Sequence, residues 1–599
     1  MANAKPKAAA AGAASSSPAS PPAPSPHGPS PPASTTSSSN VLGRALRGGS
    51  YLFLQKIFTF AINSFILRRL HLSVTGAVTV QFELALATVF LFRDSFRLAF
   101  LRMPSLVEPS STPASPSNRT QRIVNVAWIS TLGSWLLGLL IVLVVAVRGV
   151  QPDGHAQKGL EGYARVLAMY CGAAMIEASA EPMYLLAHSS VLVGWQVSAQ
   201  GMAFLTRALV QYAGIFVFQW DGLLCYGFAE LAYATTQLVV FLWFFYWKLH
   251  ENRSTNAQGL QHLSQLLPRP ASGPSGLFDA ELLAILLPLS VQSVVKYLLT
   301  EGDKWVLSLF TTLEQMGVYG IVFHLGSLVP RIVFFPLEEA TKTVISKMEA
   351  SNESQVAQAK RFVLMLLKLM HLVGLVFVCF GTNYAYTLIV ILYGVEKAQS
   401  GVGASLAAYC LYIPFLGLNG ICEAFVHAVG DTRQLMRLNQ LMGVFFVIYA
   451  ASAMLFMWCL QLGTVGIIFA NCVNMSCRIL YCMSFIATYF LSHATMDAKK
   501  ASPRPSPLSV LLGFWREALP DRLVMLAFGA SFFVGGLSQR LVLVNDAWIR
   551  HGAHVGIGGV CFAVVLAALY LRERKLVREE LRHLRSGGVA SPPASKKDQ

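Results

Sequence analysis

Charge is scarce in this chain. Only 13% of its 599 residues are Asp, Glu, Lys or Arg, while 54% are hydrophobic and the mean hydropathy is +0.53. Soluble domains carry about a quarter charged residues. A water-soluble globular protein is therefore excluded, and apolar runs are read as membrane spans. Acids are scarcer than bases, 30 against 46, which leaves a net charge of +16. In a membrane protein such an excess sits in cytosolic loops, so it reads as topology before nucleic acid, and no nucleic-acid partner is expected. The ten cysteines (171, 225, 379, 410, 422, 459, 472, 477, 482 and 561) all fall in apolar segments. With no spaced pair in a polar loop, neither a disulfide framework nor a zinc site is indicated. No GxxxxGK[ST] occurs, so no ATP-driven pump is built into the chain. HExxH and GxSxG are absent too. No cofactor is expected.

What is present begins with residues 1–40, rich in Ala, Pro and Ser with two lysines and no acid. They read as a disordered tail without the apolar core of a signal peptide. Spans follow near 50–68, 77–99, 123–147, 162–187, 190–218 and 222–247. A polar, proline-bearing linker, 248–277, divides the chain. Further spans lie near 279–311, 314–348, 361–381 (then a short apolar piece, 385–394), 402–430, 436–460, 463–492, 521–540 and 555–571. The expected class is all-α and polytopic, with about fourteen membrane helices. The division reads as a tail 1–40, a six-helix lobe 41–247, the linker 248–277, a second six-helix lobe 278–495, a linker with two accessory helices 496–575 and a basic tail 576–599. Two such bundles commonly flank a transport site.

Cations set the orientation. Loops on one side hold Arg97, Arg119, Arg122, Lys248, Arg269, Lys347, Lys360, Arg433, Lys499 and Arg516, and the tail adds Arg572 to Arg585. The opposite loops are short and carry chiefly Arg148, Lys158 and Arg550. Both termini are therefore expected in the cytosol. The sequons at Asn118, Asn252 and Asn352 then face the cytosol and stay unglycosylated. The opposite-side loop 70–76 is tiny and has no carboxylate, which argues against a polyprenyl-phosphate-dependent glycosyltransferase and for a protein that is not an enzyme.

Ionisable residues inside apolar runs are expensive, about 2.5–3.5 kcal/mol each on insertion scales, and point to polar interiors. They concentrate in Val294–Ile345, which holds Lys296, Glu301, Asp303, Lys304, Arg331, Glu338 and Glu339. Arg331 lies between Pro330 and Pro336, with Glu338 seven residues on along one helical stripe. It reads as an internal Arg–Glu bridge, as an arginine snorkelling to the interface, or as an anion site, since a guanidinium fork suits phosphate oxygens. Glu301, Asp303 and Lys304 flank Gly302, which permits a break or a close approach. In the first half Arg68 and Arg93 are candidates to face inwards, and Arg97 to sit at the interface. Glu177 and Glu181, four apart before Pro182, need a counter-ion or a shared proton, and Arg207 of the next span is one candidate partner. Glu423 follows Asn419, while Asn471, Asn474 and Arg478 share one helix face.

Several stretches taken together carry a resemblance: NSFILRRL, FLFRDSFRLAFLR, TEGDKWVLSLF, GVYGIVFHLGSLVPRIVFFPLEE, LNGICEAFVHAV and GIIFANCVNMSCRI. Over roughly 41–575 the chain resembles the Rft family of endoplasmic-reticulum proteins of N-glycan precursor assembly. That family is similar to the multidrug/oligosaccharidyl-lipid/polysaccharide exporter superfamily. The resemblance implies two six-helix lobes around a central cavity, alternating access, and 521–571 as accessory helices. It implies a non-enzymatic translocator of dolichyl-diphosphate oligomannose in the endoplasmic-reticulum membrane. The matching positions are Arg68, Arg93, Arg97, Glu301, Lys304, Arg331, Glu423 and Arg478. Arg68, Arg331 and Arg478 are expected to hold the diphosphate, and Glu301 to tune one access state. His324, where a small amide is expected, and the 1–40 extension depart from the pattern. Two other readings stay open: a scaffold or chaperone of the same pathway that moves no lipid, and an ion-coupled exporter of small molecules.

Overall fold

A computed structural model describes residues 63–101, 116–148, 162–190, 192–254, 260, 262–270, 277–348, 353–494, 507–544 and 546–585. The 1–40 tail, most of the span near 50–68, the sequon at Asn352 and the end of the basic tail lie outside the described residues.

No strand occurs among the described residues. The helices are α1 (Leu72–Val89), α2 (Arg93–Phe100), α3 (Pro116–Arg148), α4 (Tyr163–Ser189), α5 (Val193–Tyr212), α6 (Gly222–Ser254), α7 (Ala280–Phe310), α8 (Leu313–Ser346), α9 (Ser354–Tyr393), α10 (Val395–Val429), α11 (Thr432–Cys459), α12 (Gly463–Ala494), α13 (Pro507–Ala518), α14 (Arg522–Val542) and α15 (Trp548–Arg585). Eleven of the described helices are long and apolar enough to cross a membrane. Polar residues start several of them. The Asp279 carboxylate accepts from the Leu282 N–H at 3.1 Å ahead of α7, and Thr312 caps α8. Asp431 and Gln434 cap each other reciprocally before α11, at 2.7 and 3.0 Å. Such caps satisfy amides that would otherwise be orphaned at a helix start.

Several boundaries differ from the sequence reading: α15, expected over 555–571, spans Trp548–Arg585, and two further differences change the element count. The span near 77–99 is two helices, because the chain turns at Phe90–Phe92 between α1 and α2. The short piece 385–394 is continuous with the preceding span. Together they form α9, 40 residues and so about 60 Å long, twice the thickness of a bilayer core. A π-helical turn at Phe377–Gly381 lies within it.

Helices α3 to α6 pack among themselves, as do α8 to α12. The two groups meet where α1 lies against α7 and α8, and where α2 lies against α7. Phe96, Phe100, Ile123, Leu185, Leu282 and Leu286 share a buried cluster that includes the α2–α7 contact. The pair α14–α15 docks on α9, with Val524, Phe528 and Val565 buried against Cys379. The linker is anchored too. Asn125 of α3 donates to the carbonyls of Arg269 and Leu277 at 2.8 and 2.9 Å, and Trp128 donates to Leu266 at 2.6 Å. Asn252 is buried and donates to the Leu260 carbonyl at 3.2 Å, so its amide is not presented for modification.

Candidate functional site

The seam between the two helix groups is built from small and polar residues. At one end a Cβ added to Gly76 would lie 2.0 Å from the Leu313 carbonyl oxygen, and one added to Gly317 would lie 2.0 Å from that of Leu72. Only glycine permits this approach, so α1 and α8 touch backbone to backbone. Further along, Lys304 bridges Glu83 at 3.2 Å, the Thr88 and Tyr297 hydroxyls meet at 2.6 Å, and Lys296 bridges Asp94 at 2.6 Å. Ser290 reaches Ser95 at 3.4 Å. Polar contacts thus run along the length of α7.

A second set of charges lies inside the first helix group. Arg93 binds both Glu177 and Glu181, the latter at 3.1 Å, and Arg97 binds Glu181 at 2.7 Å. The Glu181 side chain is only 3% exposed. Arg93 also lies over the Phe90 ring and Arg97 over that of Tyr184, at 3.7 and 3.9 Å. The partners of the Glu177–Glu181 pair are therefore Arg93 and Arg97. Arg207, the candidate partner from the next span, bridges Glu230 at 3.1 Å instead.

A cavity of about 490 Å³ opens among α7, α11 and α12. Helix α7 contributes Gln292, Lys296 and Thr300, with Val295 and Leu299 beside them. Helix α11 contributes Asn439, Met442 and Phe446, and α12 contributes Asn474 and Arg478. Its wall therefore carries two cations, three amides, one hydroxyl and no carboxylate. Arg478 is held from behind. Its Nη2 donates to Glu423 of α10 at 2.6 Å, and the same carboxylate accepts from Asn419 at 3.0 Å and lies 3.6 Å from His427 Nε2. The Arg478 Nε is buried without a hydrogen-bond partner among the described residues. Chemically, the wall suits an anion carrying many hydroxyls: guanidinium and ammonium for the charge, amides for the rest.

Of the candidate site residues Arg478 lines the cavity, while Arg93, Glu301, Lys304 and Glu423 lie outside its wall. Glu301 pairs with Lys304 at 3.0 Å, and Glu423 pairs with Arg478. Gly302 serves close approach and not a break: α7 runs through it, and a Cβ there would come 2.3 Å from the Phe446 ring. Asp303 accepts from Asn471 at 2.9 Å and from Tyr319 at 3.3 Å. Arg68 and Arg331 do not join the cavity wall. Both are exposed, and neither makes an ion pair among the described residues. The Arg331–Glu338 bridge is not formed. A π-helical stretch, Pro330–Phe334, lies on the way and shifts the register, and the Glu338 carboxylate packs instead on Gly420. Sequence reasoning missed Gln292, Thr300 and Asn439. Gln292, Lys296 and Thr300 recur every four residues, a polar stripe on an otherwise apolar helix that could have revealed α7's cavity face.

Fold and site together define a polytopic α-helical membrane protein with a polar cavity between its helices. The fold is similar to that of the lipid II flippase MurJ in an inward closed conformation, with a TM-score of 0.53, 14% identity, and 88% of this chain and 99% of that one covered. It is also similar to an inward-facing multidrug resistance MATE family transporter, with a TM-score of 0.50, 16% identity, and 73% and 95% covered. Within that class the model of the Rft protein family matches residues 50–583, and the chain belongs to this family. Relatives are named Man(5)GlcNAc(2)-PP-dolichol translocation protein RFT1. That of Mus musculus is 30% identical, with 90% of this chain and 96% of the relative covered, and that of Xenopus tropicalis is 29% identical, with 92% and 98% covered. That of Saccharomyces cerevisiae is 25% identical, with 75% and 84% covered.

Proposed function

We propose that this protein moves dolichyl-diphosphate-linked oligomannose from the cytosolic to the luminal leaflet of the endoplasmic-reticulum membrane. Membership of the Rft family and the names of its relatives support the substrate class. The observation that carries the reading is the cavity wall with Lys296, Arg478 and amides but no carboxylate. It matches a diphosphate followed by sugars, with the phosphates competing with Asp94 for Lys296 and with Glu423 for Arg478. No step requires bond-making, so the protein acts as a carrier and not as an enzyme.

In this reading residues 41–247 and 278–495 are the two lobes, 248–277 joins them, and 496–575 supplies the accessory pair. Both termini lie in the cytosol, which puts the Gly76–Gly317 contact at the luminal end and makes it the closed gate of a cytosol-facing state. The dolichyl tail stays in lipid while the diphosphate enters beside Arg478. Exposed, unpaired Arg68 and Arg331 take phosphate oxygens as the lobes rock, and the Glu301–Lys304–Glu83 bridge steadies the closed state. The test is purified protein in liposomes bearing the glycolipid, with headgroups scored by mannosidase accessibility. Faster equilibration than in protein-free vesicles supports the reading. Equal rates favour a scaffold that moves no lipid.

A further inference from the structure

We infer that Glu423 is an internal stand-in for the substrate's phosphate: it neutralises Arg478 while the cavity is empty and yields the guanidinium to the diphosphate when substrate enters. The inference rests on the reading of the cavity as the diphosphate site. A partly buried arginine such as Arg478 is costly to leave uncompensated within a membrane, because an unpaired charge in that setting costs several kcal/mol, whereas Arg68 and Arg331 are exposed. Some resident carboxylate must fill the place, and it must be able to give it up.

The geometry of Glu423 fits that role and that of Glu181 does not. Glu181 is 3% exposed, and the two partners its carboxylate holds are the arginines Arg93 and Arg97. Were they to leave, it would be stranded. Glu423 is 21% exposed and has two further neighbours, Asn419 at 3.0 Å and His427 at 3.6 Å, both on its own helix α10. These stay with it when Arg478 on α12 turns away, so the released carboxylate keeps partners. Arg478 in turn is only half used. One nitrogen, Nη2, holds Glu423, while Nε is buried with no acceptor among the described residues. A guanidinium in this state gains a hydrogen bond by turning to a two-oxygen acceptor such as a phosphate. The competing carboxylate weakens substrate binding and speeds release, which is what a carrier needs when it must hand its cargo over.

The test is binding of farnesyl diphosphate, with farnesol as the uncharged control, to the purified full-length protein in detergent, followed by calorimetry. The variant is Glu423→Gln, which keeps the shape and the Asn419 contact but cannot neutralise Arg478. Arg478→Lys serves as a second variant that keeps charge and loses the fork. The expected result is that wild type prefers the diphosphate, Glu423→Gln binds it about tenfold more tightly, and Arg478→Lys binds it more weakly. In liposomes, Glu423→Gln then transports more slowly at saturating substrate despite its tighter binding. Wild-type binding with Glu423→Gln equal or weaker overturns the stand-in and leaves the proposed function untouched. Wild type showing no preference for the diphosphate over farnesol overturns both.

Discussion

Two arginine clusters sit in this molecule, one on each side of the seam, and they are wired differently. In the first helix group Arg93 and Arg97 are locked between Glu177 and Glu181, capped by aromatic rings, with the central carboxylate almost inaccessible. In the second, the Glu423 carboxylate is 21% exposed, and Arg478 holds it with one edge and faces a cavity. Residue type is the same, and so is the presence of a partner. The first network is closed around its central carboxylate. The second has an open side, which the proposed exchange of partners requires.

The largest effect expected from breaking this contrast is on stability. Glu181→Ala strips the shared counter-ion from two arginines and is predicted to destabilise by about 3–5 kcal/mol, as removal of one member of a buried pair does. Thermal unfolding of the purified protein in detergent reads it as a large drop in Tm. Next comes Gly317→Val. A Cβ there meets the Leu72 carbonyl at 2.0 Å, so the α1–α8 contact cannot close. Transport in liposomes is predicted to fall about tenfold or more, with the protein still folded by circular dichroism. Lys296→Ala removes a bridge whose partners are 63% and 52% exposed. Its stability cost is predicted below about 1 kcal/mol, while transport falls severalfold because a cation leaves the cavity wall. A Tm shift as large as that of Glu181→Ala would erase the distinction between the clusters. The smallest effect belongs to Lys342→Ala. Its bridge to Glu339 is an exposed pair one turn apart, worth about 0.5 kcal/mol or less, so both Tm and transport should stay at wild-type levels.

Eleven spans were legible because hydropathy is a sum over some twenty residues and tolerates local error, while α4 and α5, also read as spans, are not among the eleven. Individual partners were not, because they join positions far apart in sequence. Asp94 meets Lys296 and Glu177 meets Arg93 through tertiary packing that no local period encodes. The face of α12 that carries Asn474 and Arg478 was readable from its spacing, and both residues line the cavity. The expected Arg331–Glu338 stripe failed for a local reason: a π-helical turn breaks the 3.6-residue register on which the stripe depended. Nor could hydropathy reveal the turn at Phe90–Phe92, since those residues are as apolar as the helix before them.

The central claim is that the open cluster does the work of moving the headgroup. The most direct measurement is glycolipid equilibration in liposomes for Arg478→Ala, normalised to the amount of folded protein and set beside its Tm. The account predicts a rate reduced by about tenfold or more with a modest change in Tm. An unchanged rate, or a loss of rate accounted for entirely by unfolding, would contradict it.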